Sequence, residues 1–237
     1  MMKGTEGDVR EMIPDAMQTT WASVDEYIDG QLAPSDSALE FARRSSTEAG
    51  LPQIAVTASQ GKLLHLLALS VNARSILEVG TLGAYSTIWL ARSLPADGRL
   101  VTLEADPKHA EIARGNIAHA GLAEKVELRE GAALATLPEL AAEGLAPFDF
   151  IFIDADKENN AGYFAWALKL SRPGSLIFID NVIREGAVAD AGTKDPVVQG
   201  VRRLNEVLAK ETRVVATTIQ TVGSKGYDGF TLALVLG

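Results

Sequence analysis

Phe148-Asp149-Phe150-Ile151-Phe152-Ile153-Asp154 and Ser175-Leu176-Ile177-Phe178-Ile179-Asp180 decide the fold. Both runs are apolar on both faces, and both end on an aspartate. Strands of that kind belong to a parallel sheet covered by helices above and below. Working outward, Ser75–Val79, Arg99–Glu104 and Lys125–Arg129 give three earlier strands. Helical patterns near 86–94, 107–120, 133–142 and 159–171 separate the five. After a helix near 196–210, Arg213–Ile219 and Gly229–Val235 form a closing pair, and their Gly-rich connection predicts antiparallel pairing. The expected sheet is therefore seven-stranded and mostly parallel, with an antiparallel last strand and helices on both faces.

Three extra helices precede the first strand. Trp21, Val24, Tyr27, Ile28 and Leu32 fall at helical spacing, and Pro34 breaks that segment. Ser35 or Asp36 caps a second helix running toward Ala49, with Gly50 as its stop. A third covers about Ser59 to Ser70. No internal repeat and no linker interrupts the chain, so residues 1–237 read as one domain. Residues 1–14 read as a flexible leader and 15–53 as an N-terminal helical cover.

Composition excludes several classes. The 237 residues are 47% apolar and 22% charged, with 21 Gly and 9 Pro, which is neither collagen-like nor disordered. The absence of Cys removes disulfides, thiolate zinc sites, iron–sulfur clusters and a Cys nucleophile. His65, His109 and His119 lie in helical patterns without mutual spacing and read as surface residues. A formal charge of −9 disfavours nucleic acid as a partner. No run approaches the ~20 apolar residues of a membrane span, and no signal-like stretch opens the chain, so a cytoplasmic protein is expected.

In an open parallel sheet, ligands bind beyond the carboxyl ends of the strands. The first strand ends in Glu78-Val79-Gly80-Thr81-Leu82-Gly83-Ala84-Tyr85-Ser86, where glycines permit close backbone approach to a ligand. The second ends in Glu104, placed to accept hydrogen bonds from ribose hydroxyls. Together they suggest a nucleoside cofactor. They do not suggest a dinucleotide, because the G-x-G-x-x-G spacing is missing. The alternative for each motif alone is a tight turn and a solvated glutamate.

The fourth and fifth strands end in Asp154-Ala155-Asp156-Lys157 and Asp180-Asn181. If these strands are neighbours, about 4.8 Å apart, Asp154 and Asp180 converge at one edge with Asn181 beside them. Two carboxylates and an amide oxygen make a hard oxygen site suited to Mg²⁺. The alternative is a helix cap at Asp154 or Asp156 and a turn at Asp180-Asn181. Lys157 lies within reach of a substrate on the same ion and could serve as general base, the other fate being a solvated surface lysine.

These residues resemble the cation-dependent class I S-adenosylmethionine O-methyltransferases, the group that includes catechol and caffeoyl-coenzyme A O-methyltransferases. The likeness runs from about Tyr27 to Gly237. It rests on Gln60-Gly61-Lys62-Leu63-Leu64, Leu77–Thr87, Phe152–Lys157, Ile179-Asp180-Asn181-Val182 and Asp228-Gly229. It implies a Rossmann-like methyltransferase fold, S-adenosylmethionine as cofactor, and Mg²⁺ or another divalent cation such as Mn²⁺ or Ca²⁺. It also implies a small hydroxylated aromatic acceptor and a homodimer. Residue by residue, Val56 and Ser86 would hold the methionine carboxylate end. Glu78, Gly80 and Thr81 would line the methionine portion, Glu104 would hold the ribose, and Ala133 would meet the adenine through its backbone. Asp154, Asp180 and Asn181 would bind the cation, Asp154 also facing the cofactor, and Lys157 takes the place of the base. Ala84 departs from the pattern, where the family usually has Gly. The stretch Arg184 to Asp195 would form part of the acceptor pocket. Alternatives are methylation of a hydroxylated nucleobase in transfer RNA and a non-catalytic nucleoside-binding module. A nicotinamide-dependent dehydrogenase fits less well.

Overall fold

A computed structural model describes residues 14–236. The expected leader over 1–14 lies, apart from Pro14, outside the described residues. Three helices come first: α1 (Asp15–Leu32), α2 (Ser37–Glu48) and α3 (Ala58–Ser70). Strands and helices then alternate as β1 (Ser75–Val79), α4 (Tyr85–Ala91), β2 (Arg99–Glu104), α5 (Pro107–His119), β3 (Val126–Glu130), α6 (Ala133–Ala142) and β4 (Phe148–Ile153). The chain continues through α7 (Asn160–Lys169), β5 (Ser171–Asp180), α8 (Pro196–Leu208), β6 (Val214–Gly223) and β7 (Gly226–Val235).

The strands form one sheet in the order β3-β2-β1-β4-β5-β7-β6. β1 to β5 pair in parallel, and β7 runs antiparallel to both β5 and β6. This is the seven-stranded, mostly parallel sheet with an antiparallel last strand that the sequence predicts.

Strand alternation sorts the core into two layers. Leu77, Val79, Ile151, Ile153, Ile177 and Ile179 face one side, packed with Leu137, Phe164 and Leu204 of α6, α7 and α8. Ile76, Phe150, Phe152 and Phe178 face the other, with Leu39, Leu64, Ile88 and Ile117 of α2 to α5. Phe152, Phe178 and Phe230 form an aromatic row across β4, β5 and β7, with ring centroids 5.5 and 4.5 Å apart. Burying each of these rings contributes roughly 1.5–3 kcal/mol.

At the amino-terminal end of the sheet, buried Asp149 ties three chain segments together. Its Oδ2 accepts from the backbone N–H of Arg74 (2.8 Å) and Ser75 (3.0 Å), and its Oδ1 from the Arg172 guanidinium (2.6 and 2.9 Å).

Several boundaries differ from the sequence expectation, among them the start of β5 at Ser171, four residues before Ser175. α1 starts at Asp15, a turn and a half before Trp21. That first stretch has no apolar periodicity, and the Thr19 and Thr20 hydroxyls donate back to the carbonyls of Asp15 and Ala16. The closing strands are longer than expected, because Gly223 pairs with Gly226 across the two-residue turn Ser224-Lys225. Among the described residues, no helix is long and apolar enough to cross a membrane.

Candidate active site

Register sets the site. Val79 pairs with Ile153, and Ile153 with Ile179, so the carboxyl ends of β1, β4 and β5 are level. One residue further, Gly80, Asp154 and Asp180 stand in a row at the mouth of a cavity of about 1580 Å³. Asp154 and Asp180 thus converge as the two strand endings predict, with Asn181 lining the same cavity.

The two carboxylates are held differently. Asp154 Oδ1 accepts from Lys157 Nζ at 2.7 Å, and the Lys157 side chain is only 10% exposed. Asp180 Oδ1 accepts from the backbone N–H of Asn181 (2.9 Å), and Oδ2 from Gln60 Nε2 (2.6 Å). Burial, and then the charge of Asp154, push the Asp180 carboxyl well above the ordinary carboxylate range. Among the described residues, no group of three or more His, Cys, Asp and Glu is arranged to hold a metal ion. The set here is two carboxylates and the Asn181 amide. Its donors are all hard oxygens, and the mutual repulsion of its carboxylates is what a divalent cation relieves, so the chemistry fits a Mg²⁺-like ion.

The other half of the cavity lies around the loop after β1. Val56, Gly80, Thr81, Ser86, Glu104 and Ala133 all line it. Glu104 Oε2 accepts from the N–H groups of Thr81 (3.2 Å) and Leu82 (2.7 Å), and Oε1 from Asp106 (2.9 Å). With three donors bound, about one of its four lone-pair directions is left for a ligand.

Glu78 is the exception among the expected lining residues. It is 0% exposed and stands behind the cavity wall, because it shares strand parity with Ile76 and faces α4. Its carboxylate accepts from the hydroxyls of Ser86 (2.6 Å), Thr87 (2.5 Å) and Thr102 (2.7 Å). Burial pushes its pKa up to about 7, against those three hydrogen bonds. The Ser86 hydroxyl proton is therefore directed at Glu78 and not into the cavity.

The glycines of the loop also have a second task besides the expected one. A side chain at Gly80 would run into the carbonyl oxygen of Asp154, and one at Gly83 into the Ser46 hydroxyl of α2. They permit chain-to-chain approach as well as lining the cavity. Ala84 caps α4 in the left-handed region (φ 64°), which explains why glycine suits that place.

The segment after β5 forms the remaining wall. Asn181, Arg184 and Glu185 all have positive φ (56°, 55° and 56°), followed by Gly186 at 88°. Asp228 of β7 holds this strained turn: its Oδ1 accepts from the N–H groups of Ile183 (2.9 Å), Arg184 (3.1 Å) and Gly229 (2.9 Å). The β6–β7 turn closes over the same side. Lys225 donates to the Ala55 carbonyl, and Asp25 of α1 accepts from Ser224 N–H at 2.7 Å.

Three side chains at the site escaped the sequence reading. Gln60 and Asp228 belong to quoted motifs, yet nothing local reveals their partners. His109, expected at the surface, lines the cavity with Nδ1 3.6 Å from Glu104 Oε1. Its position in the first turn of α5, the helix that follows Glu104, is the available signal. His65 is half-buried with Nδ1 3.1 Å from the Trp89 carbonyl oxygen, while exposed His119 stacks on Phe41.

Comparison with known proteins places the chain. It is 55% identical over 213 residues to a catechol O-methyltransferase from Niastella koreensis, covering 90% of this chain and 96% of that protein. The crystal structure of an O-methyltransferase from Bacillus cereus in complex with SAH superposes with a TM-score of 0.91. It is 57% identical, and the match covers 92% of this chain and 100% of that one. The O-methyltransferase TomG from Streptomyces achromogenes, crystallised in complex with SAM, also gives 0.91 at 54% identity, covering 95% and 100%. A profile of the O-methyltransferase family matches residues 31–236, and the chain belongs to that family.

Proposed function

We propose that this protein transfers a methyl group from S-adenosylmethionine to one hydroxyl of a small vicinal diol of the catechol type, with a divalent cation at Asp154, Asp180 and Asn181. The observation that carries the proposal is the convergence of Asp154, Lys157 and Asp180 at one cavity with the Gly80–Ser86 loop and Glu104. The named relatives support it: one is a catechol O-methyltransferase, and two were crystallised with SAH or SAM.

When bound, S-adenosylmethionine supplies an electrophilic methyl carbon, and the cation supplies positive charge beside the acceptor hydroxyls. The chain's own residues do the rest. Val56, Gly80, Thr81, Ser86, Glu104 and Ala133 form the cofactor half of the cavity and fix the line of attack. Asp154, at the junction of the two halves, faces both ligands. Lys157 takes the proton from the hydroxyl that is methylated, while a lone pair of that oxygen forms the new bond to carbon. The carbon–sulfur bond breaks and its electrons stay on sulfur. In the ligand-free geometry Lys157 is an ammonium donating to Asp154, so it serves as base only after release from that carboxylate and loss of its own proton to water.

The test is a substrate panel with labelled S-adenosylmethionine and Mg²⁺: catechol, caffeate, caffeoyl-coenzyme A, matched monophenols, and unmodified transfer RNA. Transfer to the diols alone supports the proposal. Transfer to monophenols at the same rate, or only to RNA, contradicts it. The charge of −9 already weighs against the RNA acceptor. The homodimer that the resemblance implies is part of the same proposal. Apolar Val24, Tyr27 and Leu32 exposed on α1, and Val215, Ile219 and Val222 on β6, support it. Equilibrium sedimentation tests it.

A further inference from the structure

We infer that Gln60 is a positioning residue for the cation site, holding Asp180 in the orientation that leaves one free lone pair on each carboxylate oxygen facing the cavity. The inference rests on the cation reading proposed above. Asp180 is 4% exposed, and among the described residues two hydrogen bonds reach its side chain, one per oxygen. Asn181 N–H, on the adjacent residue, anchors Oδ1 alone. The 2.6 Å bond from Gln60 Nε2 anchors Oδ2 from a distant segment, and the two bonds together fix the plane of the carboxylate.

Gln60 is itself rigidly aimed. It sits in the first turn of α3, where the Thr57 side chain caps the helix by accepting from Gln60 N–H at 3.2 Å. The next residue, Gly61, lies so close to the Trp89 ring that no side chain fits between them. α3 is therefore pressed against α4 at the turn that carries Gln60, and the amide reaches Asp180 with little slack. Gln60 also lines the cavity.

The donor's lack of charge matters. Lys157 on Asp154 brings a positive charge that competes with a cation for the same carboxylate. Gln60 brings none, so its hydrogen bond to Asp180 persists when a cation arrives. The pair of carboxylates thus has one partner that must yield and one that stays. Outer hydrogen-bonding partners of this kind fix the orientation of metal-binding carboxylates, and their loss weakens metal affinity about 10- to 100-fold.

The experiment is calorimetric titration of the intact protein with Mn²⁺ alone, and separately with S-adenosylhomocysteine. It compares the wild type with Gln60→Met, Gln60→Ala and Asp180→Ala, with thermal melts run on each. Gln60→Met keeps nearly the same length without the donor, and Gln60→Ala serves should the bulkier variant fail to fold. The expected result is Mn²⁺ affinity weakened about 10- to 100-fold in both Gln60 variants, with S-adenosylhomocysteine affinity unchanged. Wild-type Mn²⁺ affinity in the Gln60 variants, with binding lost in Asp180→Ala, overturns the role of Gln60 and leaves the cation site standing. Equal loss of both ligands in the Gln60 variants also overturns it, since that marks general damage to the cavity. Absence of Mn²⁺ binding in the wild type overturns the cation reading itself.

Discussion

Lys157 Nζ donates to Asp154 Oδ1 across 2.7 Å, three residues apart in sequence, with the lysine side chain 10% exposed and the aspartate 24%. The short helical turn that begins at Lys157 folds the ammonium back over the strand end. This pairing makes Lys157 the residue best placed to exchange a proton with an acceptor beside Asp154. Lys157→Met is expected to lower kcat roughly 10²- to 10⁴-fold, the usual contribution of a positioned base. Cofactor affinity is expected to stay within a few-fold of wild type. Steady-state kinetics together with S-adenosylhomocysteine titration checks this. A variant with unchanged kcat removes Lys157 from the chemistry.

Glu78 makes the stability of the fold depend on pH. Its pKa rises from 4.5 to about 7 on folding, mainly through burial. Below pH 4.5 both folded and unfolded chains hold the proton, and the stabilising contribution is fully present. Between there and about pH 7 the unfolded chain releases the proton while the folded one retains it, so stability falls as pH rises, levelling off above. Asp180 shifts in the same direction and adds to the effect. Thermal melts of the ligand-free protein across this range should show the decline, and Glu78→Gln should make it shallower, leaving the share that Asp180 contributes. A melting temperature that rises over the same interval in wild type, with no change in Glu78→Gln, contradicts the assignment.

Asp149 anchors the far end of the sheet, away from the site. Asp149→Ala orphans two backbone N–H groups and the Arg172 guanidinium. Because Arg172 is half exposed, most of the loss comes from the buried N–H groups, about 2–4 kcal/mol in all. Denaturant unfolding measures it. A loss under ~0.5 kcal/mol, the range of ordinary surface substitutions, would show that water replaces the carboxylate freely.

Asp228 acts on the acceptor wall. It gathers three N–H groups and holds Arg184 and Glu185 at positive φ. Asp228→Ala should let that turn relax, raising the acceptor KM several-fold or more while S-adenosylhomocysteine affinity stays near wild type. Kinetics at saturating cofactor distinguish the two. An unchanged acceptor KM shows that the turn keeps its shape without this carboxylate.

How much of this could be read from the chain depends on how local the signal is. The pairing of Asp154 with Asp180 was legible because each stands at the carboxyl end of a run apolar on both faces, and parallel neighbours in matching register bring such residues together. The place of Glu78 was legible in principle: it alternates with Leu77 and Val79, so it faces the same way as Ile76, into the α4 layer. Gln60 was not, since its partner lies 120 residues away and only the crossing of α3 over α4 at Gly61 and Trp89 aims it. Asp228 likewise depends on β7 lying beside β5, and no spacing in the sequence announces that it will hold a turn 44 residues earlier. The glycine loop is visible in the sequence, but the close approaches of Gly80 to Asp154 and of Gly83 to Ser46 are not, because those partners belong to distant segments.

Methyl transfer from S-adenosylmethionine to catechol by protein stripped with excess chelator and dialysed, before and after adding Mg²⁺, is the most direct measurement of the whole account. Turnover should vanish in the stripped enzyme, return with the cation, and stay absent in Asp180→Ala under the same conditions. Undiminished turnover after stripping would mean that the two aspartates and the asparagine at the strand ends carry no ion that the reaction needs.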